Sequence, residues 1–187
     1  MADGVALRAH WYAAAAAPAP VIAIDLGAGR DVAPWQPALA ALVAQRPAAI
    51  LWLDDTQQRA ADPQLRAARA LGRWRAALVW LDAHAGGARL ALIGVHEGAD
   101  AVWAAATAPR PLSVAALWPD EPQQPLPTAA LDRFALVAVD ADAAPSTALL
   151  ALRNARLLRL PPPSAAGPSP QLASDLPGWL FSALGPR

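Results

Sequence analysis

The chain has 187 residues, 56% hydrophobic and only 16% charged, with 15 basic against 15 acidic side chains and a formal net charge of zero. That length suits one domain with a substantial core. Every basic residue is arginine and cysteine is absent, which excludes a P-loop, a Schiff-base lysine, a Ser–Lys dyad, a thiol nucleophile, Cys-ligated zinc and a disulfide framework.

The predicted elements alternate from end to end. Val5–Tyr12 alternates weakly and predicts an edge strand or hairpin arm. Ala13–Ala17 is too short to span a bilayer and is followed by Pro18 and Pro20. Val21–Asp25 is a β-branched run opening into Gly27 and Gly29, and helical spacing follows over Trp35–Gln45. A second apolar run, Ala49–Leu53, stops at Asp54-Asp55. Pro63 opens a long helical pattern that Gly86-Gly87 end. Arg89–Gly94 predicts a strand, Gly98–Ala108 an alanine-rich helix, and Leu112–Trp118 and Phe134–Asp140 two more strands. Pro145–Asn154 predicts a helix, Ala155–Leu160 a last strand, and Gln171–Leu184 a closing amphipathic helix. The proline-rich stretches Pro119–Pro127 and Pro161–Pro170 join apolar segments of one pattern and are expected to be loops within a single domain spanning 1–187.

Continuous apolar strands separated by helices predict a mostly parallel sheet in a three-layer α/β/α sandwich. Asp3 stands where a signal peptide needs positive charge. Cytoplasmic residence without membrane association is the expectation, and the lack of cysteine is compatible with it. Dispersed arginines in a neutral chain give no electrostatic case for nucleic acid, and no cofactor is expected.

The most informative stretch is Leu90–Trp103. A strand runs into Gly94-Val95-His96-Glu97-Gly98 and then directly into a helix. This Gly-x-His-x-Gly has the spacing of the nucleophile elbow Gly-x-Ser-x-Gly, whose small flanking residues let a strand turn sharply while the central residue is held strained, its side chain in the site. Here the central residue is His96.

From these residues the chain resembles the α/β-hydrolase superfamily, particularly its small, cap-less, dienelactone-hydrolase-like members. The resemblance covers most of the sequence. It implies that Val5–Tyr12 is the leading hairpin and that Val21–Gly29 is the strand and loop carrying an oxyanion-hole amide. It places the triad acid at the end of Phe134–Pro145, with Asp142 the better match and Asp140 next. Leu160–Gly167 takes the place of the loop supplying the catalytic histidine, and Leu176–Leu180 resembles the final helix.

The departures fall on the chemistry. His96 replaces the nucleophile, no histidine lies beyond residue 96, and Ala166 stands about where the triad histidine belongs. A serine triad in this order cannot be assembled. The resemblance therefore implies a catalytically degenerate hydrolase-fold protein retained for ligand binding or protein interaction. Its residual pocket would be lined by Asp25, Leu26, His96, Glu97, Trp118 and Asp142. The alternative is an atypical esterase or thioesterase in which His96 acts as base or nucleophile with Asp142 as partner.

Other groups carry plainer readings. Asp25, His96, Glu97 and Asp142 include one histidine and no diagnostic metal spacing, so no metal is expected. His84 is read as a solvated residue at a helix C-terminus, His10 as a surface or cross-strand residue, and Asp54-Asp55 as wet turn caps. Of the eight tryptophans, Trp52, Trp74, Trp80, Trp103 and Trp179 are expected in core or helix–sheet packing. Trp118 and Trp35 are expected to line a pocket or an exposed patch for a protein partner or a second copy of the chain.

Overall fold

A computed structural model describes residues 8–15, 19–27, 31–54, 62–105, 112–118, 134–142, 156–161 and 167–184. The apolar runs become a seven-stranded sheet: β1 (Arg8–Tyr12), β2 (Val21–Asp25), β3 (Ala49–Asp54), β4 (Leu90–Val95), β5 (Leu112–Leu117), β6 (Phe134–Asp140) and β7 (Arg156–Leu160). Their order across the sheet is β1-β3-β2-β4-β5-β6-β7. Only the β1–β3 ladder is antiparallel; the other five ladders are parallel.

Four helices are described: α1 (Gln36–Gln45), α2 (Pro63–His84), α3 (Glu97–Ala105) and α4 (Pro170–Ala183), with a short 3₁₀ turn at Ala33–Trp35 before α1. Two of them begin where a cap and a proline coincide. Asp62 Oδ1 accepts the Gln64 N–H at 2.8 Å ahead of Pro63, and Ser169 Oγ accepts the Leu172 N–H at 3.3 Å ahead of Pro170. Each cap satisfies an orphan N–H, while proline fills a position whose N–H has no helical partner.

Strand alternation divides the core into two layers. Val21, Ala23, Leu90 and Leu92 pack on one side with Trp74, Leu81 and Val102 of α2 and α3. Ile22, Ile24, Ala91 and Ile93 pack on the other with Leu42 of α1 and Leu172, Leu176 and Leu180 of α4. Burial on both faces is why these strands read as unbroken apolar runs. The three-layer sandwich with a mostly parallel sheet is thus the observed architecture. The expected helix at Pro145–Asn154, the loop at Pro119–Pro127, Val5–Leu7, Gly29, Asp55, Ala106–Ala108 and Ala166 lie outside the described residues, as does the side chain of Trp103.

One topological detail positions the site. The chain passes from β2 to β3 on one side, then returns to place β4 on the other side of β2. In open parallel sheets the crevice at the carboxyl ends of two such strands is where ligands bind. The carboxyl ends of β2 and β4 carry Asp25 and the turn holding His96.

Small and large residues complement each other around that turn. Ala70, Ala77 and Ala99 are fully enclosed, and Trp74 fills the space they leave. Its indole N–H also donates to the Gly98 carbonyl at 3.0 Å, tying α2 to the start of α3. Trp74→Phe keeps most of the apolar ring but removes the indole donor to that carbonyl. Urea denaturation should show a loss of about 1–3 kcal/mol with unchanged far-ultraviolet circular dichroism.

Candidate functional site at the β4–α3 turn

The turn from β4 into α3 is one residue long. A Cβ on Gly94 would run into the backbone of Gly98 and Ala99. A Cβ on Gly98 would meet the Asp25 carbonyl oxygen at 2.6 Å and the Asp25 side chain at 2.9 and 3.0 Å. Neither position accepts a side chain, because three backbones converge here. His96 lies between them with φ 51°, in the left-handed region that non-glycine residues rarely occupy. Its N–H donates to the Leu117 carbonyl at 3.0 Å and its carbonyl accepts the Ala99 N–H at 2.8 Å. The turn thereby bonds to the next strand and closes the first turn of α3. This geometry also explains why α3 starts at Glu97, one residue earlier than the sequence pattern suggests.

Beneath the turn lies a buried ion pair. Asp25 is 0% exposed and Arg73, on α2, only 9%. Arg73 Nε donates to Asp25 Oδ2 at 3.1 Å, and its Nη2 to Oδ2 at 3.0 Å and Oδ1 at 3.3 Å. The Gly27 N–H also donates to Oδ1, at 2.9 Å. This carboxylate therefore faces a forked guanidinium on one side and a main-chain amide on the other. The loop after β2, expected to offer an oxyanion-hole amide, directs its Gly27 N–H to Asp25.

The remaining candidate residues divide by burial. Glu97, at the head of α3, pairs with Arg66 of α2 through Nε–Oε1 at 3.1 Å. Leu26 is buried in the layer beneath α1 and α4. Asp142 is exposed on the turn after β6, two strands from β4, and its N–H donates to Asp140 Oδ1 at 3.0 Å. Asp25, His96, Glu97 and Trp118 thus gather at the carboxyl ends of β2, β4 and β5, whereas Asp142 stands farther along the edge.

The two tryptophans expected to line a pocket or patch are core residues instead. Trp118 and Trp35 are both buried in the α1–α4 layer. Trp118 has φ 47°, and its indole N–H donates to the Leu160 carbonyl at 3.3 Å. Among the described residues the exposed Trp and Tyr rings are on the edge strand, where Trp11 is 39% and Tyr12 55% exposed. Trp11 meets Trp80 edge-on at 5.4 Å, and Trp80 stacks on His84 at 4.2 Å. His84 Nδ1 lies 2.8 Å from the Trp80 carbonyl at the end of α2. His10 stacks on Trp52 across the β1–β3 ladder and lies 3.4 Å from Asp54.

Arg73 is the residue that sequence reasoning missed. It is separated from Asp25 by 48 positions, and arginine on a helix ordinarily reads as a solvated face. The available signal was its place beside Trp74 and between Ala70 and Ala77, on the apolar stripe of α2. Among the described residues no group of three or more His, Cys, Asp or Glu side chains is placed to hold a metal ion. No described helix is long and apolar enough to cross a membrane.

No protein-family model and no curated protein matches the chain, but solved structures do. Dienelactone hydrolase from Anabaena variabilis ATCC 29413 superimposes with a TM-score of 0.71 at 19% identity, over 96% of this chain and 93% of that one. Acyl-protein thioesterase 2 of Zea mays gives 0.68 at 16% identity over 95% and 99% of the two chains. The Bacillus cereus carboxylesterase gives 0.67 at 13% identity over 96% of each. The chain has the α/β-hydrolase fold, in the form shared with dienelactone hydrolase.

The ion pair makes a direct prediction. Arg73→Met takes the guanidinium from a fully buried carboxylate and should cost about 3–5 kcal/mol in a denaturant titration. Adding Asp25→Asn removes the buried charge while keeping an acceptor for the Gly27 N–H. The double variant should be more stable than Arg73→Met alone. Equal stability of the two would mean that the charge on Asp25 is not what the arginine compensates.

Proposed function

We propose that this protein is a catalytically degenerate hydrolase, keeping the backbone of a nucleophile elbow at Gly94–Gly98 without the side chains of a triad, and retained for ligand binding or protein interaction. The observation that carries this reading is the pairing of backbone with sequence. His96 occupies a left-handed apex between two sterically required glycines, the setting in which the fold presents its nucleophile. No histidine follows it in the chain to accept a proton. Acyl transfer through a hydroxyl needs nucleophile, histidine and acid in register; here the first is an imidazole and the second has no residue to supply it. Burial of Asp25, Leu26 and Trp118 further supports a site that has lost polar groups facing a substrate.

Binding then falls to what is left accessible around half-buried His96 and Glu97, or to the exposed rings of β1. Trp11 and Tyr12 on an edge strand offer the aromatic area that partner proteins favour.

A second reading rests on His96 itself. Strain at a residue whose side chain is half exposed is a mark of function, and an imidazole there has the reach to act as base or as an acyl-accepting nucleophile in an esterase- or thioesterase-type reaction.

One assay separates the two. Wild-type protein and His96→Ala are compared on p-nitrophenyl acetate and a short acyl-thioester. The degenerate reading expects wild type and His96→Ala to turn over both substrates equally, at no more than the ~10³–10⁴-fold over water that a site without its triad retains. Turnover with a saturating rate, abolished in His96→Ala, would establish the hydrolytic reading instead.

A further inference from the structure

The outer face of α2 is largely apolar, where a helix face turned to water is ordinarily charged. The inward stripe of this 22-residue helix is Ala70, Trp74, Ala77 and Leu81. A second stripe, Leu65, Arg69, Gly72, Ala76, Val79 and Ala83, recurs at alternating spacings of four and three on another side, the period of a helix-pairing seam. Five of these six residues are exposed and Arg69 is half-buried. Leu65 is 44% and Val79 72% exposed, two of the four large hydrophobic side chains exposed among the described residues. Gly72 stands in the middle of the helix, where glycine is weaker than alanine. A Cβ on it would meet nothing within 4 Å, so the packing of its own chain gives no reason for a glycine here. A second backbone arriving from outside gives one.

We infer that this face docks a second copy of the chain, whose α2 packs antiparallel on the same face across a two-fold axis. The choice of occupant follows from the sequence of the seam, which maps onto itself when reversed about position 74. Leu65 then faces the partner's Ala83, the apolar stem of Arg69 faces the partner's Val79, and Gly72 faces the partner's Ala76. Each larger side chain meets a small or flexible one, and the two smallest residues come together where the backbones close in.

Charge agrees with that direction. Antiparallel packing sets opposite ends of the two helix dipoles side by side. It brings Asp62, which caps the N-terminus, level with the partner's His84, the basic residue of the last turn. Arg75, exposed beside the seam near the axis, comes close to its own copy and opposes the pairing. A seam about 33 Å long and roughly 10 Å wide, from the rise and diameter of a helix, covers on the order of 350 Å² per copy, the low end for protein interfaces. The pair is therefore weak, with a dissociation constant on the order of 10–100 µM. The inference rests on reading this chain as an interaction protein, and it names the partner.

Sedimentation velocity of the full-length protein over a concentration series should show the average mass rising from one chain towards two across that range. Val79→Arg should weaken association by about tenfold or more. Gly72→Gln should raise the melting temperature of the dilute protein, since a helix former enters open space, and yet weaken association by a similar factor. Cross-linking reads the direction. The chain has no cysteine, so introduced thiols report only themselves. A mixture of Leu65→Cys and Ala83→Cys should join through a short bismaleimide. Leu65→Cys alone should not, because its two copies stand about 27 Å apart along the helices at ~1.5 Å per residue.

A protein that stays monomeric across the series overturns the inference, as does unchanged association in Gly72→Gln. So does a dimer that Trp11→Arg abolishes and Val79→Arg leaves intact, which puts the contact on the edge strand, or one in which Leu65→Cys cross-links to itself. Ester turnover by wild type would remove the degenerate reading, while sedimentation and cross-linking still judge α2 separately.

Discussion

The arrangement of this molecule depends on how closely the start of α3 approaches β2 and β4. A Cβ on Gly98 would collide with the carbonyl and side chain of Asp25, and one on Gly94 with the backbone of Gly98 and Ala99. That approach compresses the strand-to-helix connection to a single residue and forces His96 to positive φ. Two side chains of α2 hold the approach in place. Trp74 grips the Gly98 carbonyl, and Arg73 grips the Asp25 carboxylate one layer below. Helix, turn and strand are therefore one mechanical unit, and a side chain added at either glycine would disturb all three.

The charges near the turn contribute unequally. The Arg66–Glu97 pair is partly exposed, and pairs of that kind contribute little because water screens them and two flexible chains must be ordered. The Asp25–Arg73 pair is enclosed and fork-shaped, so its partners strongly depend on each other. Its position matters as much as its strength. The crevice between β2 and β4 is where an open sheet ordinarily admits a ligand, and here a neutral pair of side chains occupies the space below it. Farther along the same edge an indole bridges β5 to β7.

Much of this was legible in the sequence, for physical reasons that differ by element. Strands buried on both faces cannot alternate, so runs such as Val21–Asp25 and Leu90–Val95 announced themselves. Gly94 and Gly98, flanking His96 between a strand and a helix pattern, announced the turn, since few other structures need small residues at that spacing. The ion pair was not legible, because a charge is assigned to solvent unless its partner is known, and Arg73 meets Asp25 only after the chain has folded. Trp118 was misread for a related reason. A tryptophan at a strand end next to proline suggests an exposed ring, and only a left-handed backbone turns the indole back across the sheet. Trp11 and Tyr12 passed as members of a weak edge strand, since period-two alternation says nothing of which face lacks a covering helix.

The close approaches that shape the turn belong to Gly94, Gly98 and Asp25. Position 96 is thus a backbone socket whose form is inherited independently of what it holds. In such an architecture chemistry and fold can drift apart: a lineage sheds a nucleophile through one codon without disturbing the core, and regains it by an equally short route. Trp118, by contrast, is packed in the core layer with Ala138 and Leu160 and cannot be exchanged without repacking its neighbours. In this chain the apex is framed by the backbones of Gly94 and Gly98, so the fold sets the place of residue 96 and leaves its chemistry to the side chain.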